Sequence, residues 1–103
     1  MTAWLCAIAP VRAEVCVASW YGRESGRVTA SGERFHPPGL TAAHRSLPFG
    51  ARLRVSLHSR SVGVRINDRG PAAWTGRCLD LSQGAARALR MRGVARVKIQ
   101  RLK

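Results

Sequence analysis

The stretch Val62-Gly63-Val64-Arg65-Ile66-Asn67-Asp68-Arg69-Gly70-Pro71 constrains this chain more than any other. Val62, Val64 and Ile66 alternate with Gly63, Arg65 and Asn67, the period of a strand with one face on a core. The alternation ends in a turn, because Gly70 tolerates positive φ and Pro71 has no N–H for a sheet ladder. Just upstream, Leu53, Val55 and Leu57 alternate with Arg52, Arg54 and Ser56, and His58-Ser59-Arg60-Ser61 joins the two runs as a β-hairpin. Asp68 is thereby presented at the end of a rigid strand. There it either closes an Asx turn or is held for chemistry.

The rest of the chain reads as short strands around that hairpin. Val15 to Gly22 is rich in β-branched and aromatic residues. Trp20 and Tyr21 point to opposite faces within it, one toward the core and the other toward a surface where it would suit stacking on sugar rings. Arg23 to Pro38 is a loop too long for so small a domain unless it is functional or disordered, and Phe35 offers it an apolar anchor that would hold Glu33. Gly76 to Leu81 reads as a strand, with Asp80 in a turn or capping role. Ser82 caps a helix over 83–91, and Val94 to Leu102 is the last strand. Half a dozen strands and one helix predict a small β-barrel or sandwich.

The 103 residues suffice for one core. No apolar run reaches the roughly 18 residues of a membrane span. A net charge of +13 from 18 basic and five acidic residues favours a polyanionic partner, whether nucleic acid, headgroups or cell-wall polymer. Any carboxylate chemistry must fall to Glu14, Glu24, Glu33, Asp68 or Asp80. His36, His44, His58 and the cysteines show no metal-ligand spacing, so neither metal nor cofactor is expected.

Residues 1–13 resemble the apolar part of a secretory signal ending at Val11-Arg12-Ala13, without a basic start. No convincing lipobox precedes Cys6 or Cys16, so no lipid anchor is expected. Cleavage near Ala13 would leave Cys16 and Cys78, which in an exported domain form either a disulfide or two buried thiols.

Six blocks in order carry a resemblance. They are Ala18-Ser19-Trp20-Tyr21-Gly22, Thr29-Ala30-Ser31-Gly32-Glu33-Arg34-Phe35, Leu40-Thr41-Ala42-Ala43-His44, Leu47-Pro48-Phe49-Gly50, Val64 to Pro71, and Leu79-Asp80-Leu81-Ser82. Together they make residues 15–103 similar to the rare lipoprotein A (RlpA-like) family. The resemblance implies a mainly β fold, a six-stranded double-psi β-barrel with one short helix. It also implies a periplasmic protein of the bacterial envelope, a lytic transglycosylase acting on peptidoglycan strands poor in stem peptides.

By position, Asp68 matches the family's catalytic aspartate, and Glu33 and His44 match other polar residues of its groove. Trp20, Tyr21, Thr29, Ser31, Arg65, Asn67 and Arg69 are expected to contact substrate. Cys78 stands where an aliphatic residue is expected, consistent with a Cys16 to Cys78 staple. On this reading burial raises the Asp68 pKa, while Arg65 and Arg69 face a substrate carboxylate or the rim. The rival readings are an expansin-like wall-binding module without catalysis, and a nucleic-acid binder, against which the export-like start argues. A monomer is expected.

Overall fold

The computed structural model describes residues 13–22 and 27–102. The signal-like segment therefore lies outside the described residues, apart from Ala13. Strands β1 (Ala13–Tyr21), β2 (Thr41–Ala43), β3 (Arg52–Leu57), β4 (Arg60–Asp68), β5 (Leu79–Ser82) and β6 (Ala95–Leu102) are joined by one short helix, α1 (Gln83–Ala88), between β5 and β6. They close into a barrel in the order β1-β5-β2-β4-β3-β6. The pairs β1·β5 and β2·β4 are parallel and the others antiparallel. This is the six-stranded mixed barrel with a single helix that the resemblance implied.

The hairpin forms where the alternation placed it, with Leu53 opposite Val64 and Val55 opposite Val62. His58 takes the left-handed conformation (φ 56°) that its tight turn requires. Inward residues of β3, β4, β5 and β6, among them Leu53, Val55, Val64, Ile66, Leu79, Leu81 and Val97, form one core. Each such side chain contributes about 1.5–3 kcal/mol when fully buried. Ala85, Ala86 and Leu89 of α1 and its exit pack into the same core. The Ser82 hydroxyl accepts the Ala85 N–H (3.2 Å) as the N-cap. The helix ends at Ala88, three residues before the expected Met91, and Arg90 turns the chain at φ 55°.

Two ties fix the long loop and the first strand. Gly84 comes so close to the Pro38 carbonyl that a Cβ there would lie 2.2 Å from its oxygen, so only glycine lets α1 seat against the loop. Cys16 and Cys78 form a disulfide with Cα atoms 5.9 Å apart across 62 positions, fastening β1 to the approach of β5. In the chain-entropy account such a loop contributes roughly 4 kcal/mol.

Candidate functional site

Pairing between β2 and β4 runs Thr41 to Arg65, Ala42 to Ile66, then Ala43 to Asp68. Asn67 is thus the extra residue of a bulge, and Ile66, Asn67 and Asp68 are buried in succession where a regular strand would alternate. The consequence is that neighbours 67 and 68 serve two different cavities.

Asp68 is 5 % exposed at the wall of a cavity of about 250 Å³ that Tyr21, Arg27, Ala43, Arg69 and Asp80 also line. Its Oδ1 accepts the backbone N–H groups of Ala30 and Arg69, each at 2.9 Å. Its Oδ2 accepts the Arg27 guanidinium at 2.8 Å and the Tyr21 hydroxyl at 3.3 Å. Burial pushes this carboxyl up, but the Ala30 N–H, the Arg27 side chain and the Arg69 N–H more than offset it and hold the pKa below the ordinary aspartate value. The expected rise is therefore overturned. The reason is that the long loop supplies donors which the local sequence of Asp68 does not show.

Tyr21 stacks on the buried Phe35 with ring centroids 4.6 Å apart, so Phe35 does pin the loop to the barrel. Burial first, and the Asp68 charge second, raise the Tyr21 pKa far above its usual value, which keeps the hydroxyl a donor. Arg27 lies over the same ring, 5.5 Å from its centroid.

Asp80 shares the Asp68 cavity and accepts the Ser19 hydroxyl and the Arg77 guanidinium (3.1 Å). The expected capping role is corrected, since Ser82 caps the helix and Asp80 faces Ser19 and Ala43 on the neighbouring strands. Sequence reasoning missed Arg27 altogether. The only signal for it was its place in the loop flagged as unusually long. For Asp80 the signal was its alternation with Leu79 and Leu81, whose inward faces turn it the other way.

Glu33 belongs to the second cavity, of about 360 Å³, with Arg65, Asn67, Thr41 and His36 on its walls. It accepts the Asn67 amide and the Arg65 guanidinium through both nitrogens (3.1 and 3.0 Å). Arg65 first and Asn67 next lower its pKa. Arg65 thus turns to a carboxylate of its own chain rather than to the rim. The Thr29 hydroxyl bonds the Ser31 hydroxyl (2.9 Å) and the Glu33 carbonyl (3.0 Å), and the Ser31 N–H reaches the Asn67 carbonyl (3.2 Å). These two residues shape the loop that carries Glu33.

The structure does not bring His44 to either carboxylate. Its Nδ1 accepts the Ser46 and Leu47 N–H groups (3.1 and 3.0 Å), which leaves the ring proton on Nε2. The ring lines a third cavity with Glu14 and Arg101, while its backbone N–H bonds the Asp68 carbonyl (3.2 Å). Burial, then Arg45 and Arg69, lower its pKa. Arg69 stacks over Phe49, 4.0 Å from the ring centroid, and donates to the His44 carbonyl (3.1 Å). Trp20 donates its indole N–H to the Arg92 carbonyl (3.2 Å), away from both carboxylate cavities. Among the described residues no group of three His, Cys, Asp or Glu side chains is placed to hold a metal ion.

Residues 13–100 match a family model described as "Lytic transglycolase". The chain belongs to the lytic transglycolase family. Its RlpA-like character agrees with two curated relatives. "Probable endolytic peptidoglycan transglycosylase RlpA" of Nostoc sp. is 59% identical over 91 residues, covering 82% of this chain and 24% of the relative. "Endolytic peptidoglycan transglycosylase RlpA" of Yersinia pestis is 45% identical over 89 residues, covering 84% and 24%. The chain spans about a quarter of the length of these relatives. An expansin structure from Clavibacter michiganensis superposes with a TM-score of 0.71 at 21% identity, over 89% of this chain and 51% of that one, which shows a shared fold alone.

Proposed function

We propose that this domain cleaves the glycan strands of peptidoglycan in the cell envelope as a lytic transglycosylase, with Asp68 as its acid and base. The observation that carries the reading is the Asp68 carboxylate itself, buried at a cavity wall and fixed by two backbone N–H groups, a guanidinium and a phenol. Cleaving a glycosidic bond needs a group that protonates the leaving oxygen while positive charge develops on the sugar ring. In this reaction the protonated Asp68 gives its proton to the leaving oxygen. The C6 hydroxyl of the muramic residue then attacks the anomeric carbon and returns its proton to the same carboxylate. No water is consumed, and one carboxyl group serves both steps.

The depressed pKa of Asp68 sets a condition on this scheme. Arg27 is one of the interactions that lower it, and the Arg27 side chain is 40 % exposed at the cavity mouth. A muramic carboxylate that draws Arg27 aside lifts that restraint as sugar displaces water from the cavity, so the acid form arises with substrate in place. Glu33, held by Arg65 and Asn67, acts on a flanking sugar, and His44 steadies the Asp68 backbone through its own N–H. Strands poor in stem peptides fit a site whose two cavities open between the long loop and the barrel, and the export expected from the N-terminal segment places the domain in the periplasm.

Digesting purified peptidoglycan, intact and stripped of stem peptides, with the wild-type chain and with Asp68→Asn tests the proposal. Anhydro-muramic ends in the mass spectrum from wild type alone are the expected result. Wall binding with no anhydro ends from wild type would replace the reaction with a binding module. Anhydro ends from Asp68→Asn would remove Asp68 from the chemistry.

A further inference from the structure

Most of the 18 basic residues play no part in the chemistry above, and the barrel gathers four of them on one face. Because Leu53, Val55, Val62, Val64, Val97 and Ile99 face the core, the residues between them on β3, β4 and β6 face outward. The register sets them in rows: Arg52 beside Arg65, Arg54 between Gly63 and Gln100, Ser56 between Ser61 and Lys98. Arg96 follows on β6 opposite Val17. Arg65 is paired with Glu33, but Arg52, Arg54, Arg96 and Lys98 are exposed and form no ion pair among the described residues. On the lattice of a sheet each stands about 7 to 8 Å from the next along the row Arg52, Arg54, Lys98, Arg96, close to the Debye length of about 8 Å at physiological salt, and the row spans roughly 20 Å.

The centre of this face is low. A Cβ on Gly63 would meet nothing within 4 Å, and Ser56 and Ser61 beside it are short. Ser56, Arg96 and Lys98 also line a cavity of about 260 Å³, together with His58 and the apolar Val15 and Leu57. Successive like charges in this row repel, and none of the four is offset by an ion pair among the described residues. An external anion offsets them.

We infer that this outer face of β3, β4 and β6 docks onto the carboxylate-bearing peptides of the wall, a surface separate from the Asp68 cavity. The inference rests on peptidoglycan being the substrate. Strands β3 and β6 contribute nothing to the Asp68 cavity, whose walls come from β1, β2, β4, β5 and the loops. The sacculus can thus be held by a face that meets the Glu33 cavity only at Arg65, while a peptide-poor strand occupies the Asp68 cavity. Three of the four cations are arginines, whose planar forks match carboxylates. No aromatic residue stands on β3, β4 or β6, so the face lacks the stacking platform of a single-strand nucleic-acid binder and the aromatic anchors of a membrane-surface binder.

The test is co-sedimentation of Asp68→Asn, which leaves the wall uncut, against Asp68→Asn carrying Arg52→Gln, Arg54→Gln, Arg96→Gln and Lys98→Gln. The probes are intact sacculi, sacculi stripped of peptides, phosphatidylglycerol vesicles and duplex DNA. We expect the neutralised chain to bind intact sacculi about tenfold or more weakly at low salt, and the difference to vanish near about 0.5 M salt. In the wild-type background the four substitutions are expected to leave release of anhydro ends from soluble peptide-free glycan unchanged. Equal binding by the two chains would overturn the inference. So would equal retention on stripped and intact sacculi, or tighter capture by vesicles or DNA. Salt-dependent docking through these residues without any anhydro product would overturn the proposed reaction and support the docking face.

Discussion

Two carboxylates one bulge apart show how differently a small barrel can hold the same group. Asp68 has a side chain 8 % exposed and two of its four donors are backbone N–H groups. Glu33 has a side chain 38 % exposed, and its partners are the side chains of Arg65 and Asn67. Backbone donors cannot swing away when substrate arrives, so Asp68 sits in an environment organised before the reaction. The charged donor of Glu33, the half-exposed Arg65, can rearrange, which suits a group that adapts to a flanking sugar. Rigidity therefore separates the two more than charge does.

The sharpest test of this difference compares Asp68→Asn with Glu33→Gln on the same peptidoglycan. Loss of an acid–base group costs about 10² to 10⁴ in rate, so Asp68→Asn is expected to fall by about a thousandfold in kcat. Glu33→Gln keeps the shape and an acceptor for Asn67, and is expected to lose about tenfold, chiefly in KM. Equal losses from both variants would erase the distinction and make the two cavities one catalytic unit.

A smaller effect bears on the direction of the Asp68 pKa. Arg27 lowers it, so Arg27→Gln is expected to raise it. A group that must begin protonated loses activity as pH rises through its pKa. The alkaline limb of the kcat/KM profile should therefore move to higher pH in Arg27→Gln, with little change in melting temperature. An acidic limb that moves up in its place would mean that Asp68 enters the reaction as its anion.

How much of this was legible from the chain depends on distance along it. Leu53, Val55, Val62, Val64 and Ile66 announce their hairpin because a two-residue period is a local property, and Ser82 announces α1 for the same reason. Strand β2 reads only as a strand-like or turn segment over 40–44, since Thr41, Ala42 and Ala43 are all buried and show no alternation. Nothing local states that β1 runs parallel to β5, and that pairing is what brings Asp80 beside Ser19. Alternation also misplaces Asn67, because the bulge that buries it is visible only against β2. The pKa of Asp68 was misread for a related reason. Ala30 and Arg27 lie 38 and 41 positions away, and no pattern within the Asp68 strand points to them.

The smallest expected effect tests the Glu33 side of the comparison through stability. Both carboxyls have pKa values lowered by folding. Each therefore contributes stability that is fully present above its unfolded-state pKa, near 4, and is lost as pH falls through the lower folded value. For Glu33 the charged partner, Arg65, is a half-exposed side chain, and solvent screens the pair. Arg65→Gln is expected to cost less than about 1 kcal/mol at pH 7, fading as pH falls below the ordinary carboxylate range. The buried Asp68 keeps its backbone donors in that variant, so melting temperature followed from pH 7 to about pH 3 should still fall in Arg65→Gln almost as it does in wild type. A flat acid profile in Arg65→Gln would assign the acid sensitivity to the exposed Glu33 pair instead, and the contrast between a rigid carboxylate and an adaptable one would fail at its thermodynamic root.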